Sequence, residues 1–113
     1  MSFGKFSVRA TKAFDADVES ITDFLCLTAG LDVSDRLLDN LAKTVGHIAT
    51  FPQSGNLHYS AVIETVELRM FPVTKFPYYL VFYIAGPDEV VLVRLLHGMR
   101  DLSTELEALD TSE

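Results

Sequence analysis

Cysteine is nearly absent, since Cys26 is the only one in 113 residues. A single thiol excludes an internal disulfide and any zinc site built from several thiolates. Long apolar runs are missing as well. The longest uncharged, apolar-rich stretch, Phe76–Pro87, falls short of the ~20 residues a membrane helix needs and carries proline near both ends. No glycine-rich phosphate loop, nucleophile elbow or zinc motif occurs, nor any internal repeat or low-complexity segment. The opening residues include Lys5 and Arg9 but neither an apolar core nor a small-residue cleavage site, so a cytoplasmic location is expected.

Positive charge is also scarce. Nine Lys and Arg stand against sixteen Asp and Glu, for a net −7. Residues 1–35 hold three basic and six acidic groups, residues 36–100 six and five, and residues 101–113 none and five. The acidity thus concentrates in the first helical region and in Asp101–Glu113. Such a chain is repelled by phosphate backbones unless its few arginines converge on one patch. Non-specific nucleic-acid binding is therefore disfavoured, and no sequence-specific nucleic-acid binding, membrane partner, metal or cofactor is expected.

What the chain does have is apolar content, at 49% of residues. A chain of this length buries roughly two-thirds of its unfolded surface, which suits one packed domain over residues 1–113. Phe6–Ala10 reads as a short strand. Thr11 is a candidate N-cap, followed by Asp15, Asp17 and Glu19, where a helix start favours negative charge. Phe14, Val18, Ile21 and Leu25 recur at the spacing of one helical stripe, and Gly30 can end that helix. A second helix, capped by Asp32 or Ser34, has the stripe Leu38, Leu41, Val45 and Ile48 and closes before Pro52. Residues 11–50 are thus expected to form a helical hairpin. Cys26, between Leu25 and Leu27, reads as a small core hydrophobe.

The cover for that hairpin comes from residues 64–97, read as antiparallel strands. Glu64–Phe71 alternates in hydropathy, Tyr78–Ala85 is apolar on both sides, and Gly86-Pro87-Asp88 turns the chain into Glu89–His97. Gln53–Ser60 reads as a loop, and residues 101–109 as a C-terminal helix or tail. The fold class is α+β, a helical hairpin on one face of a small, mostly antiparallel sheet. If Leu80, Phe82 and Ile84 lie under the helices, Tyr79 and Tyr83 point away from them. Placing charge away from the helix layer puts Arg69 and Arg94 on that same outer face. Arg69, Tyr79, Tyr83 and Arg94, with Arg100 just beyond, form the candidate functional patch.

Each member also has a structural reading. Arg69 or Arg94 can pair with Glu67 or Asp101, and Asp101 is the expected structural partner. The tyrosines suit packing better than acid catalysis, given a Tyr pKa near ~10. His97 is a candidate general base or a hydrogen-bonded structural histidine. His47 and His58 have no acidic or cysteine partner at metal-ligand spacing.

Leu68-Arg69-Met70-Phe71-Pro72-Val73, Tyr79-Leu80-Val81-Phe82-Tyr83 and Val93-Arg94-Leu95-Leu96-His97-Gly98-Met99-Arg100-Asp101-Leu102 together resemble the C-terminal half of the RelE/ParE toxin superfamily. Phe51-Pro52-Gln53-Ser54-Gly55 looks like the superfamily's Pro-x-x-Gly loop. The resemblance implies the toxin of a type II toxin–antitoxin (plasmid stabilisation) module, with a cognate antitoxin, a ParD-like ribbon-helix-helix protein, as partner in a hetero-oligomer. Ribosome-dependent mRNA nucleases of the superfamily carry an Arg where this chain has Tyr79, and only His97 and Arg100 match their site. The pattern is closer to ParE, which implies a DNA gyrase inhibitor acting by protein–protein contact, not an enzyme. The alternatives are an endoribonuclease with a substituted site, or a family member that binds antitoxin without poisoning anything. Because this chain is acidic, apolar anchors and weak salt dependence are expected at the antitoxin interface.

Overall fold

Thr11 accepts a hydrogen bond from the Phe14 N–H through its side chain and so starts the first helix, as the sequence predicts. The computed structural model describes residues 6–58 and 67–98. In chain order these form β1 (Ser7–Ala10), α1 (Lys12–Ala29), α2 (Leu31–Thr50), β2 (Asn56–His58), β3 (Leu68–Val73), β4 (Phe76–Ala85) and β5 (Glu89–His97). The expected helix or tail at 101–109, and the start of the strand expected from residue 64, lie outside the described residues.

Gly30 joins the two helices. Its φ of 102° is open to glycine at little cost, and its N–H reaches back to the Leu25 and Cys26 carbonyls. The same residue is the N-cap of α2, with no side-chain cap bond, so neither Asp32 nor Ser34 caps that helix. Ser34 is instead buried and donates to the Thr22 carbonyl, tying α2 to α1. The α2 stripe also differs from expectation by one step. Leu37 is fully buried, whereas Leu38 is exposed. Cys26 is exposed and belongs to no core.

The five strands lie in the order β1-β5-β4-β3-β2. β1 pairs parallel to β5 and the other pairs are antiparallel. Asn56–His58, expected as loop, adds an edge strand to β3. Three residues with little apolar signal give no strand pattern of their own, and only pairing defines them.

The helices cover one face of this sheet. Phe14 and Ile21 of α1, and Leu37, Leu41 and Ile48 of α2, pack with Val73, Tyr79, Val81, Tyr83, Val90, Leu92 and Leu95. The opposite face groups Leu68, Phe82 and Leu96 with Met70, Leu80, Ile84 and Val93. This reverses the expected sides of β4, because Tyr79 and Tyr83 face the helices while Leu80, Phe82 and Ile84 face away. The reason is physical. Both sides of β4 are apolar, so alternation separates two sets without saying which one the helices choose. No helix among the described residues is long and apolar enough to cross a membrane.

Candidate functional site

The residues expected to form one outer patch divide into two separate clusters. Arg69 is the register partner of Tyr83, so it stands on the helix-facing side of the sheet. Phe82 pairs with Arg94, which therefore leaves the strand from the other side. A bulge accounts for the mismatch. Tyr83 pairs with Leu92 and Phe82 with Arg94, leaving Val93 as the extra residue. One inserted residue resets the alternation, so Arg94 no longer shares a face with Val90 and Leu92.

The first cluster holds the loop after α2. The Tyr83 hydroxyl donates to the Pro52 carbonyl at 2.8 Å and accepts from the Gly55 N–H at 2.9 Å. Arg69 Nη1 donates to the Gly55 carbonyl at 2.9 Å and to the Gln53 carbonyl at 3.2 Å. Its Nη2 reaches Gln53 Oε1 at 3.3 Å, with Glu67 a looser ion-pair partner at 3.6 Å. Pro52 ends the helix, and Gly55 leaves room for the ring, since a Cβ there would sit 2.5 Å from the Tyr83 hydroxyl and 3.0 Å from the Met70 carbonyl. Burial pushes the Tyr83 phenol pKa up, against the opposing pull of Gly55, Ser54 and Arg69. These groups lock the Pro52–Gly55 turn against the sheet, leaving Arg69 with few donors for any ligand.

The second cluster closes the sheet edge. β1 covers β5 only as far as Leu92. Beyond that point Asp17 of α1 takes over, accepting the Leu95 N–H at 2.9 Å. Arg94 clasps the same carboxylate with Nε at 2.7 Å and Nη2 at 2.8 Å, a bidentate pair. Both side chains are about 85% buried. Thr11 contributes alongside, donating through its hydroxyl to the Val93 carbonyl and through its N–H to the Leu92 carbonyl. The local sequence marks Asp17 only as a helix-start charge. Its strand partner lies 77 residues away, and no local pattern reports that distance.

The remaining candidates fall elsewhere. Tyr79 is buried in the core, and His97 packs its ring against Tyr78 and Tyr79. His47 lies at the surface between the rings of Phe51 and Phe71. Arg100 and Asp101 lie outside the described residues. Among the described residues no group of three His, Cys, Asp or Glu side chains is placed to hold a metal ion.

A helical hairpin on a five-stranded, mostly antiparallel sheet is the α+β fold of the RelE/ParE toxins. A solved structure described as the chromosomal ParDE TA system from P. aeruginosa matches with a TM-score of 0.67 at 15% identity, over 83% of this chain and 97% of that one. The family described as ParE toxin of type II toxin-antitoxin system, parDE, matches residues 8–102, and this chain belongs to it. No curated protein matches this chain.

Proposed function

We propose that this protein is a ParE-type toxin that acts in the cytoplasm on DNA gyrase, by protein–protein contact, and is silenced by a cognate ParD-like antitoxin. The observation that carries the reading is the commitment of both sheet arginines to the protein's own structure. In-line phosphate cleavage needs positive charge aimed at the developing transition state. Here Arg69 is spent on loop carbonyls and Arg94 on Asp17. Position 79, an Arg in the ribosome-dependent nucleases, is a tyrosine buried in the core. In this reading the pair serves to stabilise the replicon that encodes it.

The antitoxin contact is supported by apolar surface on the hairpin. Leu27, Leu31 and Leu38 are exposed, with Leu27 at 87%, more than a solvated helix pair requires. Gyrase supercoiling and cleavage assays, run beside ribosome-programmed mRNA cleavage, test the function. Accumulation of gyrase-cleaved DNA with intact mRNA is expected. Cleaved mRNA with undisturbed gyrase overturns the reading. Antitoxin affinity is expected to change less than about tenfold between low and moderate salt, since apolar burial is little screened.

A further inference from the structure

A cleft of about 400 Å³ between α2 and the β3–β4 turn is lined by Val33, Arg36, Asp39, Asn40, Lys43, Lys75 and Phe76. It gathers three of the chain's nine basic side chains on a protein of net charge −7. The ion pairs of the described residues belong to Arg9, Arg69 and Arg94, so Arg36, Lys43 and Lys75 bring their charge to the cleft uncompensated by a salt bridge. Asp39 is the single carboxylate in the wall.

Two further features mark the place. Asn40 is 93% buried and donates its amide nitrogen to the Arg36 carbonyl at 2.8 Å, which leaves Oδ1 as a buried acceptor with no partner. Each such orphan calls for an explanation. Lys75, with φ of 66°, is the one non-glycine residue at positive φ among the described residues. The tight turn keeps a lysine where glycine or asparagine fits with less strain, and backbone strain of this kind gathers at functional sites.

We propose that this cleft binds an acidic peptide segment of a partner protein. Carboxylates on the segment meet Arg36, Lys43 and Lys75, and Val33 and Phe76 pack against the aliphatic stems of its side chains. A nucleic-acid backbone fits less well. Phosphodiesters bring no aliphatic stem for Val33 and Phe76 to pack against. The site is separate from both arginine clusters, and its failure leaves the gyrase reading standing.

The test uses the full chain and a fluorescein-labelled peptide of alternating Glu and Ala, with oligothymidylate of equal charge as the second probe. Saturable peptide binding is expected, weakened about tenfold or more by Lys43→Glu with Lys75→Asn, and by moderate salt. Lys75→Asn retains a residue suited to positive φ, so the turn is preserved. Preferential binding of oligothymidylate overturns the proposal, as does peptide binding that the double variant leaves intact. Changing Asp101, Glu105, Glu107, Asp110 and Glu113 to their amides is expected to leave peptide affinity within about twofold. A tenfold gain would assign the cleft to the chain's own acidic segment instead and overturn the partner assignment.

Discussion

Two arginines on one sheet, equally sheltered from solvent, are held in opposite ways. Arg94 meets a carboxylate in a bidentate pair at the edge of β5, while Arg69 is satisfied mainly by neutral carbonyls of the turn after α2. Their side chains are 15% and 11% exposed. The first arrangement fuses two elements distant in sequence, α1 and β5. The second pins a turn that follows directly from a helix. The difference teaches that a buried cation's partner decides what its loss costs. Removing one member of an ion pair strands the other charge, whereas removing a cation from carbonyls strands only polar groups.

The largest effect is therefore expected at the sheet edge. Asp17→Ala removes the carboxylate that Arg94 and the Leu95 N–H share, and should destabilise by about 3–4 kcal/mol in urea denaturation. Asp17→Asn keeps an acceptor for Leu95 and is expected to lose less. An equal loss in the two variants would mean that the ion pair, not edge closure, dominates.

Next comes the turn. Tyr83→Phe removes one hydroxyl but strands both the Pro52 carbonyl and the Gly55 N–H, at a cost of about 2–3 kcal/mol. The same residue gives a pH signature. Its pKa is raised in the folded state, so the unfolded chain loses the phenol proton first as pH climbs. The folded state then holds more protons than the unfolded one, and stability falls from about pH 10 upward. Below that the phenol is protonated in both states and contributes no pH dependence. Stability profiles of the native chain and Tyr83→Phe should diverge in slope only above this point.

The smallest effect is expected at Arg9, whose pair with Glu89 is short, at 2.6 Å, but exposed. Arg9→Ala should cost no more than about 0.5 kcal/mol, and less as salt is added. A loss comparable to that of Asp17→Ala would break the argument that burial, rather than distance, sets the value of these pairs.

Much of the fold was legible because its signals are local. Thr11, the stripe Phe14-Val18-Ile21-Leu25 and Gly30 each act within a turn or two of chain, and all three stand where the sequence places them. The sheet faces were not legible, for two reasons. β4 is apolar on both sides, and the bulge at Val93 adds a residue that no pattern in Glu89–His97 announces. Arg69 and Arg94 were thus identified as residues that matter but assigned to a single patch, while Asp17 and the 52–55 turn, their true partners, depend on contacts across the chain. β1 beside β5 is the same lesson, since a parallel pairing between opposite ends of the sequence leaves no local trace.

The central claim is that the sheet arginines hold the fold and do no chemistry. Arg69→Ala tests it most directly, by urea denaturation read beside gyrase inhibition at a temperature where the variant remains folded. A loss of about 1–3 kcal/mol, with inhibition per folded molecule retained, is the expected result. Unchanged stability with inhibition abolished would contradict it.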